Sequence, residues 1–488
     1  MKKNLIFLFF ILCVAFLVRM PGLREPFECD QANYGYIALN WEQGKLPYAG
    51  LWDNKPPMIY LFYRLIYRVF GYSDLAVHFG FAILAVFSVF VFYLLCRKLF
   101  ETRFALLAAL LYGIFSSGGF ISGNFGVTEN IMVFFTIASF YFLFLGIENG
   151  KGSLFLLSGL AMGFSMMSKQ AAMWELLAAV VFLFLPVCKI DNFIRRLKYL
   201  ALFLSGVMVV FSSIFGYFVI MGAGREFIQE TFLYNLFFGR IVGIRQGLVN
   251  FLNALSWSPR ENFMLWGLAL LGLARAAQDK RGYPVFLVFW FFASALGVIS
   301  SLRFYPHYFI QIIPVLVMLF VFYLSKNKKE STQAVAVAVS VALFLAAQLP
   351  FYFSVSPVDS LIQKRKGLIR PQLQYALPAA AAFIRKNTSP EDMIYVWGLW
   401  PEVYFYTKRP AASGYFYISG RGTMLGKFKE ELQRQVAFDI MKNRPKYIII
   451  DPHYSGLVSG PLLNFIKSAY TLDFKLGGCS FLRRTADD

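Results

Sequence analysis

Two short polar stretches follow the first apolar segment of the chain. One is Glu28-Cys29-Asp30-Gln31-Ala32-Asn33-Tyr34, and about twenty residues later comes Trp52-Asp53-Asn54-Lys55-Pro56-Pro57. A carboxylate such as Asp30 can take a proton from a hydroxyl. A lysine such as Lys55 offers a compact positive charge to a phosphate. Held together at a membrane surface, the two suit chemistry on a lipid-linked substrate. Asp53, Glu129, Lys169, Arg303 and His307 are also expected at the outer rim of the membrane. A charge at membrane depth or at its rim is costly unless paired or wetted, so each is a functional candidate.

Every candidate has a structural role to set beside the chemical one. Asp30 before Gln-Ala-Asn-Tyr fits a helix N-cap as well as a general base. Lys55 precedes a double proline that stiffens the backbone and can start a helix. Its ammonium then joins the free N–H groups of a helix N-terminus, which suits phosphate; the alternative is a lysine snorkelling to the interface. Glu129 opens an apolar helix in Thr128-Glu129-Asn130, where a carboxylate favours the helix dipole. There it could equally tune the base or hold a divalent cation. Lys169, in Met166-Met167-Ser168-Lys169-Gln170, is a rim anchor or a phosphate ligand. Arg303-Phe304-Tyr305-Pro306-His307-Tyr308 is dense in phosphate-capable donors, with Arg able to fork onto two oxygens. An aromatic belt accounts for Tyr305 and Tyr308 and explains Arg303 and His307 less well.

The elements that must hold these residues follow from composition. Of 488 residues, 58% are hydrophobic, 19% aromatic and only 15% charged, against roughly 25% charged in soluble domains. Spanning the ~30 Å hydrocarbon core takes about 20 helical residues. About eleven spans are expected, near 4–20, 74–96, 104–118, 128–147, 154–168, 172–188, 198–221, 262–276, 283–302, 308–325 and 333–353. The fold class is a polytopic α-helical membrane protein. Residues 1–20 read as an uncleaved first helix, because no small-x-small site follows.

The formal charge of +20 fits the positive-inside rule better than nucleic acid, and basic residues also suit an anionic phospholipid. Lys2-Lys3, Arg97-Lys98 with Arg103, Lys189 through Lys198, Lys280-Arg281 and Lys326 through Lys329 all fall on one side, the cytoplasmic one. The outer side then receives 21–73, 119–127, 169–171, 223–261, 303–307 and everything after 354. Residues 30–45 and 56–70 read as amphipathic, aromatic-rich helices lying in the interface with their rings toward lipid. Arg225 to Phe238 has the same character. Tyr34, Trp52 and Asp53 are placed along the substrate groove such helices would line.

Residues 356–488 differ from the transmembrane part, 1–355. They carry 19 Lys or Arg against 11 Asp or Glu and no span-length apolar run. Strand-like runs (Met393–Trp400, Tyr447–Asp451, Thr471–Leu476) alternate with helical ones (Ala376–Lys386, Met424–Lys442, Leu462–Tyr470), which reads as a small extracytoplasmic α/β domain. Lys364-Arg365-Lys366 and Arg370 are positioned for phospholipid headgroups. The five cysteines show no CxxC or zinc-like spacing; a Cys29–Cys479 disulfide is open, since both fall outside. GxGxxG, Walker A, HExxH and nucleophile-elbow motifs are missing from the right contexts, which disfavours an ATP-driven pump.

In this order, the residues resemble the polytopic C-type glycosyltransferases, in the bacterial branch related to protein O-mannosyltransferases and lipid A aminoarabinose transferases. The pieces are Asp30 with Tyr34, Gly44-Lys45-Leu46-Pro47-Tyr48, Trp52 through Pro57, Thr128-Glu129-Asn130, Ser168-Lys169, Arg303 through Tyr308, and Ile312-Ile313-Pro314. Tyr395-Val396-Trp397-Gly398 with Pro401-Glu402-Val403-Tyr404 looks like that branch's soluble domain. The first-loop acid with Lys-Pro-Pro is the most specific piece. The resemblance implies that Asp30 is catalytic and that Lys55 engages the donor phosphate. Glu129 falls at a second carboxylate position, and Arg303 and His307 fall near the donor headgroup, with Lys169 and Tyr308 as further phosphate ligands. The family often shows Asp-Glu in the first loop; here Gln31 follows Asp30, and no role passes to a neighbouring acid.

The expected activity is inverting transfer of a hexose or pentose from a polyprenyl-phosphate donor to a lipid, glycan or protein on the outer face of the plasma (inner) membrane. Undecaprenyl phosphate is the carrier expected in a bacterium. No cofactor is obligatory, and a divalent cation at Glu129 is left open. The rival is a transporter, flippase or polymerase of lipid-linked saccharides. Transporters usually place charges near the midplane and often show repeated halves, whereas these charges cluster at one rim.

Overall fold

In the computed structural model every expected span coincides with a helix. The structure describes residues 2–485 apart from 189, 191, 237–241, 280–281, 328, 354–370, 418–428, 459 and 477. The helices are α1 (Lys2–Leu17), α2 (Cys29–Glu42), α3 (Met58–Phe70), α4 (Asp74–Leu99), α5 (Thr102–Phe115), α6 (Thr128–Asn149), α7 (Gly152–Ser168), α8 (Met173–Phe184), α9 (Phe193–Ile220), α10 (Gly224–Ile228), α11 (Ile244–Gln278), α12 (Tyr283–Ile299), α13 (Ile313–Ser325) and α14 (Glu330–Phe353). Among the described residues, six helical stretches are long and apolar enough to cross a membrane: Lys2–Arg24, Asp74–Leu99, Thr128–Asn149, Phe193–Ile220, Pro306–Ser325 and Glu330–Leu349. Thr102–Phe115, Gly152–Ser168, Gln170–Phe184 and Tyr283–Ile299 are apolar but shorter. The chain is an integral membrane protein. Helices prevail because every backbone polar group in lipid must be satisfied within its own segment.

Small and polar residues join these helices. A Cβ on Gly159 of α7 would lie 1.9 Å from the Phe203 carbonyl oxygen of α9, and one on Gly206 of α9 would lie 2.4 Å from the Leu156 oxygen. Only hydrogen at both positions allows so close a crossing. The buried Arg19 pins the end of α1 to α5, donating to the Gly113 carbonyl at 2.9 Å and to Ser116 Oγ at 2.8 Å.

One span was longer than hydropathy suggested. Residues 223–261 read as an outer loop, yet α11 begins at Ile244 and reaches Gln278, with a break in the helical backbone at Asn262 (φ −132°, ψ 23°). Arg245, Gln246, Asn250 and Asn253 dilute the apolar signal there without preventing a helix.

The C-terminal part holds α15 (Pro371–Lys386), β1 (Ile394–Trp397), α16 (Pro401–Thr407), α17 (Lys429–Asn443), β2 (Tyr447–Ile450), α18 (Gly460–Ala469), β3 (Tyr470–Leu476) and β4 (Cys479–Arg484). The sheet order is β1-β2-β4-β3. Strands β1 and β2 are parallel with Ile394 opposite Tyr447, while β4 runs antiparallel to both β2 and β3. Period-two alternation separates two faces. Ile394, Val396, Tyr447, Ile449 and Phe481 join a core shared with α2 and α3, whereas Tyr395, Trp397 and Ile448 pack with Val436 and Ile440 of α17. The alternating α/β reading of this region holds, with α16 and β4 added. Lys189, Lys280, Arg281, Lys328 and the headgroup cluster Lys364, Arg365, Lys366 and Arg370 lie outside the described residues, as does the 355/356 boundary.

The interfacial placement of α2 is corrected. Tyr34, Tyr36 and Trp41 are buried in protein rather than turned to lipid. The α16 helix covers α2: Phe27 stacks on Phe405 with centroids 4.5 Å apart, and Tyr36 on Tyr404 at 5.1 Å. Backbone bonds close the joint, with Trp52 N–H donating to the Gly414 carbonyl at 2.9 Å and Ala411 N–H to Tyr36 Oη at 2.8 Å. The first loop and the sheet therefore lie on one side of the membrane helices. All five cysteines are free thiols.

Candidate active site

The α2 helix begins with a capping box in which Gln31 accepts from the backbone N–H of Glu28 at 3.2 Å and the Glu28 side chain accepts in return. Glu28 is therefore the N-cap, and Asp30 is released from that role. Asp30 sits in the first turn, partly buried, and its side chain accepts no hydrogen bond among the described residues. Asp30, Asn33, Tyr34 and Ile37 follow the i, i+3, i+4, i+7 pattern and share one helix face.

Asn33 ties that face to the second polar stretch, donating to Asp53 Oδ2 at 2.8 Å. Tyr60 donates to the same oxygen at 2.6 Å, and the Asn54 backbone N–H to Oδ1 at 2.6 Å. Burial raises the Asp53 pKa, opposed by Lys55 and by the Tyr60 hydroxyl. With three donors and 1% exposure, Asp53 holds the loop in shape. Tyr34 is also 1% exposed, its ring packed against Tyr60 and Tyr63 at 6.1 Å each. Trp52 is buried too, and its indole N–H donates to Glu230. Tyr34, Trp52 and Asp53, expected along the substrate groove, are buried side chains that together form a wall beside Lys55.

Lys55 extends from this wall. Its ammonium donates to Asn54 Oδ1 at 3.0 Å, and among the described residues no other acceptor meets it. Burial works against its charge, but the carboxylates of Asp53, Asp30 and Glu129 outweigh that and raise its pKa. Lys55 is a cation with donors to spare, surrounded by acids that do not bond to it.

A second group closes the site from the membrane helices. Glu129, 1% exposed, is ion-paired with Lys169, lies 3.7 Å from His307 Nε2 and accepts from Thr128 Oγ1 at 2.8 Å. The Lys169 ammonium also sits 3.6 Å above the Tyr308 ring. Its charge is met by Glu129, so the role as a direct phosphate ligand recedes and that of a partner fixing Glu129 comes forward. The charge on Asp30 acts on Lys55, Lys169 and His307 alike, which makes the two groups one electrostatic unit.

Arg303 is 8% exposed and acts electrostatically on Tyr234 and Tyr308. Its neighbours Leu302 and Phe304 have φ of 54° and 51°. Left-handed backbone at two bulky residues is strained, and strain of this kind collects at functional sites.

The third outer segment is linked to the first loop next to Lys55. Gln229–Leu233 forms one π-helical turn, a device frequent at functional sites. The Thr231 carbonyl there accepts from Gln170 and from Asn235, each at 2.7 Å. Asn235 in turn donates to the Asn54 carbonyl at 2.7 Å and accepts from the Asn54 amide at 3.0 Å. This staple sits one residue from Lys55. Glu230, beside Trp52, has its pKa pushed up to about 7 by burial, with Asp53 adding to the rise. Spacing gives no warning of Asn33, Asn235 or Glu230; the helical register from Asp30 to Asn33 is the one available signal. Among the described residues no three His, Cys, Asp or Glu side chains gather to hold a metal ion.

Residues 54–234 match the family of dolichyl-phosphate-mannose-protein mannosyltransferases. An uncharacterized protein of Aquifex aeolicus (strain VF5) is 30% identical over 158 residues, 32% of this chain and 31% of that protein, so the match spans about a third of the relative's length. ArnT from Cupriavidus metallidurans, solved bound to undecaprenyl phosphate, superposes with a TM-score of 0.65 at 15% identity, over 99% of this chain and 98% of that one. AglB from Archaeoglobus fulgidus, solved with an inhibitory peptide and a dolichol-phosphate, gives 0.52 at 14% identity, over 99% and 74%. The chain has the fold of the C-type membrane glycosyltransferases, and residues 54–234 carry the mannosyltransferase match.

Proposed function

We propose that this protein is an inverting glycosyltransferase that moves a hexose or pentose from a polyprenyl-phosphate donor to a lipid, glycan or protein acceptor. One observation carries the reading: the unbonded carboxylate of Asp30 and the under-coordinated ammonium of Lys55 belong to one electrostatic unit at the rim of the membrane helices. Asp30 takes the proton of the acceptor hydroxyl while that oxygen attacks the anomeric carbon from the face opposite the phosphate. The bond from the anomeric carbon to the phosphate oxygen breaks, and polyprenyl phosphate leaves with the bonding electrons. Lys55, with Arg303 and His307 behind it, stabilises the charge growing on that phosphate. Glu129 fixes Lys169 and His307 in place. ArnT and AglB are solved with undecaprenyl phosphate and dolichol-phosphate, which supports this donor class.

The test is sugar transfer by purified protein in detergent. The donors are undecaprenyl-phosphate mannose, glucose, galactose and 4-amino-4-deoxyarabinose; a membrane extract of the source organism supplies the acceptor. Covalent transfer with release of undecaprenyl phosphate is expected. If folded protein transfers none of these sugars, yet moves a lipid-linked saccharide between vesicle leaflets, the protein is a transporter.

The proposed sidedness puts the N-terminus in the cytoplasm and the first loop and sheet outside. Gln43 and Glu431 are both exposed. Gln43→Cys and Glu431→Cys should therefore both react with a membrane-impermeant maleimide added to intact cells. Protection of both would invert the topology.

A further inference from the structure

Glu402 is the acid that the site does not yet explain. It lies in the first turn of α16, 6% exposed, and its Oε2 has no hydrogen-bond partner. Among the described residues the carboxyl is met only by its own backbone N–H, and a buried oxygen left without a partner costs stability. Its position is fixed by packing: a Cβ on Gly35 of α2 would stand 3.0 Å from the Phe405 ring, so α16 lies tightly against the helix that carries Asp30. Through that contact Glu402 faces the start of α2. Its charge acts on Cys29 and meets those of Glu28 and Asp30.

The titratable surroundings are acidic. Glu28, Cys29 and Asp30 face it from α2, and Tyr406 from its own helix. Beyond Tyr406 stand Asp74, which accepts from its hydroxyl at 3.1 Å, and Arg385, which donates to its carbonyl at 2.5 Å. Asp451 is held aside by the Trp400 indole at 2.6 Å. The charged groups acting on Glu402 itself, Glu28 and Asp30, are both acids. Two carboxylates sharing a poorly hydrated site do not both ionise readily, and the one with the worse environment keeps the proton.

We propose that Glu402 is a positioning residue for the transfer reaction: buried at the start of α2, it adds no negative charge beside Asp30 and the donor phosphate while it is protonated, and its ionisation switches transfer off on the alkaline side. This rests on the transferase reading above. Burial, with Glu28 and Asp30 adding, pushes the Glu402 carboxyl up to about 8. Below that pH it is neutral and the start of α2 carries one fewer negative charge. Above it a second negative charge appears beside Asp30 and opposes the incoming donor phosphate. The sheet domain thereby becomes part of the site rather than an appendage to it.

The test compares full-length wild type, Glu402→Gln and Glu402→Met in detergent, with the undecaprenyl-phosphate sugar that the donor panel identifies. The variant-to-wild-type ratio of kcat/KM for donor should rise up to ~10-fold per pH unit above about pH 8, for both neutral variants. An identical alkaline fall in all three proteins overturns the proposal. An infrared difference spectrum, wild type minus Glu402→Gln, reads the proton without turnover. A protonated-carboxyl band at pH 7 that fades as pH is raised through about 8 is expected, and a carboxylate band at pH 7 overturns the proposal. Failure of wild-type transfer at every pH sinks the transferase reading, while the infrared result still decides the state of Glu402.

Discussion

Asp30→Asn is expected to lower sugar transfer by ~10²-fold or more while the protein still inserts and folds. The substitution keeps the size and hydrogen-bonding shape of the side chain and removes the proton acceptor. The structure makes it a clean test, because the cap of α2 is made by Glu28 and Gln31 and not by Asp30. Thermal unfolding should therefore shift little in Asp30→Asn. Glu28→Ala, by contrast, should lose about 0.5–2 kcal/mol of stability through the cap. Near-normal turnover of Asp30→Asn in membranes would remove Asp30 as the base.

Lys55→Ala carries the second-largest expected effect. A charge-assisted hydrogen bond is worth about 1.5–3 kcal/mol, so donor kcat/KM should fall by roughly 10- to 150-fold. The loss should appear mainly in donor use, with acceptor KM little changed. Removing the ammonium also takes one positive charge from the neighbourhood of Asp53, Asp30 and Glu129. A variant with unchanged donor KM and kcat would show that Lys55 is an interfacial anchor. Lys55→Arg should not restore full activity, since a planar fork does not reproduce a point charge in this confined position.

The membrane helices were the most legible part of the chain. Their signal is long and redundant, because lipid tolerates few other backbone states. The failures have local causes. The start of α11 was hidden by Arg245, Gln246 and Asn250, and β4 by its terminal Arg483-Arg484. The facing of α2 was misread because its partner, α16, lies more than 350 residues away in sequence. A local pattern shows that a helix is amphipathic without showing what covers it. The same limit governs the site. Asp30 and Lys55 could be named because a charge at a membrane rim is rare and costly. Asn33, Asn235 and Glu230 are ordinary polar residues until the fold brings them together. Glu402 stood inside a family-like stretch, but the burial of its unpartnered Oε2 is visible only in three dimensions.

The bond from Trp52 to Gly414 also has a consequence for how the protein is made. Asp30, Lys55, Glu129, Lys169 and Arg303 all leave the ribosome before the segment that covers α2 is synthesised. Until that segment arrives, the buried face of α2 around Phe27, Gly35 and Tyr36 has no cover, and the wall formed by Trp52 lacks its backbone partner. Helices can enter the bilayer one after another, but this pairing must wait for the end of translation. An unfinished chain already holds its acids and lysines, but the helix that carries Asp30 gains its cover only when the segment with Tyr404, Phe405 and Gly414 arrives.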